Sequence, residues 1–191
     1  MKNYDAIVIG FGKGGKTLAI EFAKRGKKVA MIEKSQEMYG GTCINEGCIP
    51  SKSLIVQAHQ KTYQEAILQK EKLVHQLRKK NYDKLNQFDN IDIIDGTARF
   101  VNDHQVEIID QETIEGDYIF INTGSTPIVP HIKGINETNH IYNSATMMKE
   151  EKLPQHLAII GGGYIGLEFA SMYARYGSKV TVFEYNERLV M

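Results

Sequence analysis

Residues 6–15 read Ala-Ile-Val-Ile-Gly-Phe-Gly-Lys-Gly-Gly, and this stretch predicts the fold of the first part of the chain. The apolar run at 6–9 is typical of a strand buried on both faces. Apolar residues at helical spacing then predict a helix that ends at Gly26. A second apolar run at 29–32 predicts another strand, which ends at Glu33. This order of elements is that of a dinucleotide-binding βαβ unit.

The three glycines of the first loop match the pattern GxGxxG, and each has a physical role in such a unit. Gly10 allows the tight turn, Gly12 lets the backbone approach a pyrophosphate, and Gly15 lets the helix pack closely on the strand. Glu33 can accept hydrogen bonds from a ribose. A glycine-rich turn without a ligand is the alternative interpretation, and the glycines do not select which dinucleotide binds.

A second copy of the same pattern begins about 150 residues later. The apolar run at 157–160 leads into Gly161, Gly163 and Gly166, and a strand at 180–183 ends at Glu184. A carboxylate at this position accepts from a ribose 2′-hydroxyl and repels a 2′-phosphate, so the sequence favours NADH over NADPH. One unit can therefore bind FAD and the other NAD(P).

Cys43 and Cys48 are the only two cysteines, and they lie in one short glycine-rich stretch. A bond between them would close a very small ring, worth roughly 2 kcal/mol as a structural staple. Pro50 is placed as the first residue of a helix, so Cys48 is expected just before a helix N-terminus, where a thiolate is favoured. Lys52 adds positive charge nearby. A redox-active pair is favoured over half of a zinc site, two inert thiols or a structural disulfide.

Composition narrows the range of partners. The 191 residues contain 23 Lys and Arg and 23 Asp and Glu, which indicates neither nucleic-acid binding nor an anionic membrane surface. No apolar run is long enough for a signal sequence or a membrane span, so a cytoplasmic protein is expected.

The middle of the chain is expected to be helical from Ser51 to about Tyr82. Its basic residues are interpreted as a solvated face: Lys70, Lys72, Arg78, Lys79 and Lys80. Four strand-like runs follow at 90–95, 97–101, 105–109 and 117–122. The last of them ends in Thr123-Gly124-Ser125, which can bring backbone against a cofactor. Residues 128–153 are expected to be a connection between domains.

These observations predict an α/β fold with two Rossmann-like units built on parallel sheets, plus a β-meander. The domains are expected at 1–150 and 151–191. Because the second unit has only two strands and one helix, the chain is expected to be an N-terminal fragment. Glu168 lies on an otherwise apolar helix face, where a buried carboxylate needs a cation; the alternative is that it points to solvent.

Four features follow one another along the chain: the first glycine loop, residues 40–52, Thr-Gly-Ser at 123–125, and the second glycine loop. In this order they resemble the FAD-dependent pyridine nucleotide–disulfide oxidoreductases over the whole chain. The resemblance implies roles for these residues. FAD would lie on the first loop and Glu33, close to Gly41, Thr42, Thr123 and Gly124. Cys48 would face the flavin, and Cys43 would meet the substrate. Lys52, paired with Glu168, would lie near the flavin, while Tyr164 would gate the nicotinamide pocket.

The resemblance also implies a reaction and an assembly. Electrons would pass from NAD(P)H through FAD to the cysteine pair and on to a small oxidised substrate. A homodimer is implied, because the acid–base His of the family comes from the other subunit. Residues 10–19 and 37–42 resemble the bacterial branch of reactive-chlorine-resistance flavoproteins and hypothiocyanous acid reductases. Dihydrolipoamide dehydrogenase or mercuric reductase activity, or a non-catalytic flavin-binding redox sensor, are the alternatives.

Overall fold

The structure, a computed structural model, describes residues 1–135 and 137–190. Its strands and helices are, in chain order, β1 (Lys2–Ile9), α1 (Lys13–Lys24), β2 (Val29–Glu33), α2 (Thr42–Asn45), α3 (Cys48–Gln57), α4 (Tyr63–Asn86), β3 (Ile91–Asp95), β4 (Ala98–Phe100), β5 (Gln105–Ile108), β6 (Thr113–Ile121), α5 (Ser144–Met147), β7 (His156–Ile160), α6 (Tyr164–Tyr176) and β8 (Lys179–Phe183).

The chain divides into two units, each made of two segments. Unit 1 comprises Met1–Cys48 and Val74–Thr126, and unit 2 comprises Ile49–Leu73 and Pro127–Met191. Helices α3 and α4 each run from one unit into the other. These units are a different division from the predicted domains, whose boundary between residues 150 and 151 stays a prediction.

Unit 1 is built on one six-stranded sheet in the order β3-β2-β1-β6-β5-β4. The first four strands in this order are parallel, and β1 lies between β2 and β6. Ile9 pairs with Ile32 on one side and with Ile121 on the other. The carboxyl ends of these strands therefore meet at one edge, where open α/β sheets bind their ligands.

The apolar runs of the sequence form this sheet because both faces are covered. All five residues of β2 are buried. One face packs on α1 and the end of α4, through residues such as Ala19, Ala23 and Leu85. The other face packs on the antiparallel strands, through Val106, Ile108 and Ile114. Strands buried on both faces are expected to be continuously apolar, as β2 nearly is.

The predicted β-meander is confirmed in β4, β5 and β6, which pair antiparallel in sequence order. Strand β6 begins four residues earlier than the sequence suggests, at Thr113. Its first three residues pair with β5, while most of its length pairs with β1. This double pairing places the polar residue Glu115 within a strand.

Unit 2 contains the predicted second pattern, β7-α6-β8, with the two strands parallel. Helix α6 packs on β7 and β8 and on the first part of α4 through a core centred on the fully buried Met172 and Tyr173. Gly177 ends α6 in the left-handed conformation, as expected for a helix C-terminus.

The prediction that residues 51 to about 82 are helical is wrong in one respect. The structure has two helices there, separated by residues 58–62. The break has a local cause. Glu65 accepts hydrogen bonds from the backbone N–H and hydroxyl of Thr62, at 2.9 and 2.8 Å, and Thr62 caps the N-terminus of α4 in return. Helix α3 also begins at Cys48, two residues before the predicted start.

Two polar segments differ in detail from the sequence prediction. Residues 128–153, whose role as a connection between domains stays a prediction, contain the short helix α5, which Asn143 and Thr146 cap with a capping box. The basic run is only partly solvated. Lys70 is 2% exposed and donates to the carbonyl of Met148 at 2.6 Å, and Arg78 is bound to side chains of unit 1.

Within residues 1–135 and 137–190, no helix is long and apolar enough to cross a membrane.

Candidate functional site

The first glycine loop lies at the carboxyl edge of the unit 1 sheet. Gly10 follows β1 with a φ of 103°, and Gly12 caps α1 without a side-chain hydrogen bond. Gly15 is buried in the first turn of α1, where a Cβ would stand 2.6 Å from the carbonyl oxygen of Gly10. The loop therefore holds the N-terminus of α1 close to the sheet with backbone N–H groups at its mouth, which is suited to a phosphate.

Asn122 holds this loop by hydrogen bonds to its backbone, a role that sequence patterns alone do not indicate. Its backbone N–H donates to the carbonyl of Ile9 at 2.8 Å, and its side-chain amide donates to the carbonyl of Gly10 at 3.0 Å. A Cβ at Gly12 would come within 2.9 Å of that amide. The position of Asn122 directly after β6, just before Thr123, is the one signal that the sequence offers.

Glu33 closes the first loop from the end of β2. It is 8% exposed, and its carboxylate accepts the backbone N–H of Phe11 at 2.9 Å and that of Ser35 at 3.3 Å. The carboxylate is thus fixed beside the glycine loop, as the ribose-binding acid of a dinucleotide site requires.

Glu184 repeats this arrangement in unit 2. Its carboxylate accepts the backbone N–H of Gly162 at 2.6 Å and that of Asn186 at 2.8 Å. These backbone hydrogen bonds, from Asn186 first and Gly162 second, lower the pKa of Glu184. Gly162 occupies the same place in its loop as Phe11 does in the first loop, so the two loops share one mode of closure.

The rest of the second loop also follows the pattern. Gly161 succeeds β7 with a φ of 105°, and Gly163 caps α6. Gly166 packs against the carbonyl of Gly161. Tyr164 is the first residue of α6 and is 78% exposed.

The segment Tyr39–Cys48, called the cysteine turn below, lies directly against the first glycine loop. Gly40 and Gly41 have φ values of 94° and 79°, a region that glycine adopts without strain. A Cβ at residue 41 would lie 2.6 Å from the Cα of Gly12, so the two backbones are in contact. The one-turn helix α2, which carries Cys43, starts immediately after this contact.

The structure places the two cysteines together as thiols. The thiol of Cys43 shares a hydrogen bond with that of Cys48, and Cys48 is the more exposed of the two. Burial raises the pKa of the Cys43 thiol, and the hydrogen bond and charge of Cys48 raise it further. The positive charge of Lys13 acts in the opposite direction. Burial and the neighbouring Cys48 therefore both disfavour ionisation of the Cys43 thiol.

The Thr-Gly-Ser stretch also reaches the cysteine turn. Thr123 and Gly124 follow β6, and Gly124 has a φ of 73°. A Cβ at Gly124 would stand 3.9 Å from the hydroxyl of Thr42. The predicted flavin-contacting residues Gly41, Thr42, Thr123 and Gly124 are thus grouped at one edge of unit 1.

Lys52 and Glu168 form an ion pair within unit 2. Lys52 lies on α3 and Glu168 on α6. The Glu168 side chain is 27% exposed and that of Lys52 is 64% exposed. Glu168 is therefore partly buried against a cation.

These residues fit a bound dinucleotide. A pyrophosphate requires a close approach of the backbone, which Gly12, Gly15 and Gly41 allow. A ribose requires a fixed hydrogen-bond acceptor, which the carboxylate of Glu33 provides. Among the described residues, no group of three or more His, Cys, Asp or Glu side chains could hold a metal ion.

The molecule is an α/β protein with two glycine loops of the dinucleotide-binding pattern and a thiol pair beside the first of them. The family model described as pyridine nucleotide-disulphide oxidoreductase matches residues 4–191. The chain therefore belongs to the pyridine nucleotide-disulphide oxidoreductase family.

Individual relatives agree with this assignment. The probable pyridine nucleotide-disulfide oxidoreductase RclA of Escherichia coli is 52% identical over 188 residues, which cover 96% of this chain and 43% of that protein. The mercuric reductase of Streptomyces lividans is 36% identical over 94% of this chain and 42% of that protein. The solved structure of the HOCl-induced flavoprotein disulfide reductase RclA from Escherichia coli matches with a TM-score of 0.95 and 50% identity, over 97% of this chain and 43% of that chain.

The chain thus spans less than half the length of these relatives. Membership of the family implies the use of FAD and NAD(P)H.

Proposed function

We propose that this chain is part of an FAD-dependent reductase that uses NADH to reduce the Cys43–Cys48 disulfide, and passes the electrons to a small oxidised substrate. The observation that carries this proposal is the backbone contact between Gly41 and Gly12, which sets the cysteine turn against the first nucleotide loop. A thiol pair in this position is within reach of a cofactor held by that loop.

In this proposal FAD is held by the residues at the carboxyl edge of the unit 1 sheet: Gly10, Gly12, Gly15, Glu33, Gly41, Thr42, Thr123 and Gly124. When bound, FAD supplies the transfer of an electron pair from the nicotinamide to the disulfide. The family resemblance assigns Lys52, which is ion-paired with Glu168, the role of supplying positive charge to the flavin. The nicotinamide nucleotide site is formed in this proposal by residues of the second glycine loop and β8: Gly161, Gly163, Tyr164, Gly166 and Glu184.

The cysteines carry the reaction with the substrate. Two electrons and two protons convert the disulfide to two thiols. The thiolate of Cys43 then attacks the electrophilic sulfur of hypothiocyanous acid, forms a Cys43–S–SCN adduct and releases hydroxide. The Cys48 thiolate attacks the Cys43 sulfur, which restores the disulfide and expels thiocyanate. The oxidant is reduced by two electrons, and the pair is oxidised by two.

An inorganic oxidant is proposed as the substrate because of the descriptions of similar proteins. The Escherichia coli relative at 52% identity is described as an HOCl-induced flavoprotein disulfide reductase. Mercuric reductases are also similar, at 36% identity. A substrate panel of hypothiocyanous acid, lipoamide, glutathione disulfide and mercuric ion separates these activities.

NADH is proposed over NADPH because backbone N–H groups fix the carboxylate of Glu184 at the end of β8, and an acid at this position of a dinucleotide unit disfavours a 2′-phosphate. Replacing Glu184 with Gln should lower the preference for NADH, measured as the ratio of kcat/KM values for NADH and NADPH, by roughly tenfold. The change removes the repulsion between the Glu184 carboxylate and a 2′-phosphate, and a tenfold effect corresponds to only part of the several kcal/mol that like charges in contact can cost. The exposed neighbour Glu187, changed to Gln, is the matched control. An unchanged ratio in the Glu184 variant would exclude this role.

The complete protein is proposed to be a cytoplasmic homodimer. Disulfides of cytosolic proteins are usually redox-active rather than structural, which fits a cysteine pair that cycles between disulfide and dithiol. Family resemblance supports the dimer. Sedimentation of the complete protein measures its oligomeric state directly.

The first experiment is an anaerobic titration of the complete protein with NADH, followed by its flavin spectrum and by thiol counting. The proposal expects two new thiols and a long-wavelength absorption band after two electrons, and it expects Cys43→Ser to lose substrate turnover but keep FAD. Bleaching of the flavin with both cysteines unchanged would refute the proposal. FAD binding without any reduction by NADH would identify a redox sensor instead.

A further inference from the structure

We infer that Arg78 is a positioning residue for Cys43, and that it acts through Asn45. This inference rests on the proposed function, in which Cys43 is the thiol that meets the substrate. The sequence alone predicts Arg78 to be part of a solvated basic run. In the structure its side chain is 19% exposed and turned toward the cysteine turn.

Asn45 is the contact between the two residues. It is the last residue of α2, two positions after Cys43. Its side-chain amide donates to the carbonyl of Tyr39 at 3.1 Å and to that of Gly41 at 3.0 Å. These two bonds tie the end of α2 back to the chain before it, on both sides of Gly40.

Arg78 fixes the direction of that amide. Its Nε donates to Oδ1 of Asn45 at 3.0 Å, and its guanidinium also binds the carboxylate of Glu37. A flipped amide would face the guanidinium with its own donors and would lose both bonds to the turn. The guanidinium therefore allows only the orientation in which Asn45 holds the turn closed.

The same face of α4 supports the turn at two more points. The ring of Tyr82 stacks on that of Tyr39, with centroids 5.2 Å apart. Asn81 lies beside Gly40, where a Cβ would come within 3.4 Å of its side chain. Because residues 78, 81 and 82 share one helix face, they form a continuous support for the cysteine turn.

This support is needed because α2 has only four residues. A helix of one turn is not stable by itself in water, since the first hydrogen bond must fix several residues. The position of Cys43 is therefore set by contacts from outside α2. Loss of Arg78 should loosen Cys43 without removing any group that contacts substrate or cofactor.

The test uses the complete, FAD-loaded protein with Arg78→Met, Arg78→Lys and Glu37→Gln. Lys80→Met, which changes an exposed lysine on the same helix, is the matched control. Two measurements are made: hydrogen exchange of the peptide covering residues 39–48, and the rates of the two half-reactions in stopped flow. The Glu37 variant changes an exposed side chain and therefore keeps the test possible if Arg78→Met folds poorly.

We expect faster exchange at residues 39–48 in Arg78→Met, and oxidation of the dithiol by substrate slowed roughly tenfold, since small displacements of a reacting group are costly. The rate of reduction by NADH should stay within about twofold of wild type, because in the proposed function Cys48, and not Cys43, exchanges electrons with the flavin. Arg78→Lys should be intermediate, because an ammonium can donate to Asn45 but lacks the fork that also reaches Glu37. Glu37→Gln should show a smaller change of the same kind.

The inference is overturned if exchange and dithiol oxidation in Arg78→Met match those of Lys80→Met. It is also overturned if both half-reactions slow equally in proportion to lost FAD, which would indicate a general structural role. If wild-type protein is not reduced by NADH, the proposed function fails, while the exchange measurement still decides whether Arg78 holds the turn.

Discussion

Lys52 on α3 and Glu168 on α6 form an ion pair although 116 residues separate them in the chain. Both belong to unit 2, and the lysine side chain is 64% exposed. An exposed pair of this kind contributes little to stability, about 0–1 kcal/mol. Its value lies in fixing where the ammonium is, which is the property that an electrostatic role at the flavin demands.

Replacing Lys52 with Met should therefore separate stability from reaction rate. We expect the free energy of unfolding to change by less than about 1 kcal/mol. Flavin reduction by NADH should slow roughly 10- to 100-fold, which is less than the loss of about 100- to 1,000-fold on removing one preorganised buried donor, because Lys52 is exposed to solvent. Stopped-flow absorbance of the flavin measures this rate.

Glu168→Gln should show a smaller decrease, because that carboxylate acts through Lys52. The control is Lys2→Met, which breaks an ion pair of comparable exposure with Glu112. A Lys52 variant that reduces its flavin as fast as the Lys2 variant would contradict the role proposed for Lys52.

Gly15 and Gly163 should respond differently to Ala. A Cβ at Gly15 would lie 2.6 Å from the carbonyl of Gly10 and 2.8 Å from the Val8 side chain, so overpacking should cost about 1–3 kcal/mol. Gly163 has an extended backbone with a φ of −76°, and no heavy atom lies within 4 Å of its Cβ position. Gly163→Ala should leave stability within about 1 kcal/mol of wild type, the usual cost of Ala at a helix N-cap.

Any loss of NADH binding by Gly163→Ala would then report on the nucleotide itself. Urea unfolding and NADH titration of the same sample give both quantities. Weaker binding without destabilisation is the expected result. Unchanged binding would mean that the pyrophosphate does not approach Gly163.

The pH dependence of Cys43 alkylation should shift when Cys48 is replaced by Ala. Burial raises the pKa of Cys43, and the hydrogen bond and charge of Cys48 raise it further. Cys48→Ala removes the two contributions from Cys48 and leaves burial in place. The pKa of Cys43 should fall, so its thiolate, the reactive form, should appear at lower pH.

Rates of iodoacetamide alkylation between about pH 6 and about pH 10, around the ordinary range of thiols, measure this shift. Chemically reduced wild-type protein is the reference, and mass spectrometry assigns the modified residue. A midpoint for Cys43 that moves to higher pH in Cys48→Ala would show that Cys48 does not raise the pKa of Cys43.

Lys70 and Lys72 provide a test of the basic run in α4. Lys70 is 2% exposed and donates to the carbonyl of Met148 at 2.6 Å, whereas Lys72 is exposed. Lys70→Met should destabilise the protein by about 1–3 kcal/mol, because it leaves a buried carbonyl without its donor. Lys72→Met should stay within about 0.5 kcal/mol of wild type. Equal unfolding midpoints in urea would show that the Met148 carbonyl finds another donor.

The sequence by itself determined the two nucleotide loops and the parallel strands beside them. Gly10, Gly12 and Gly15, and the acid at Glu33, are recognisable because turn, helix start and buried strand are local properties of consecutive residues. The same reasoning found Gly161, Gly163, Gly166 and Glu184. The helix break at residues 58–62 and the short helix α5, which the prediction lacked, also had local capping signals in Thr62 and Asn143.

Only the tertiary structure decided which polar side chains support the site. Asn122 reaches Gly10 across 112 residues, Lys70 reaches Met148 across 78, and Arg78 reaches Asn45 across 33. A lysine or arginine in a charged helix has the same local pattern whether its side chain meets water or a distant carbonyl. Its surroundings are set by which elements the sheet and the core bring together, and local periodicity carries no record of that pairing.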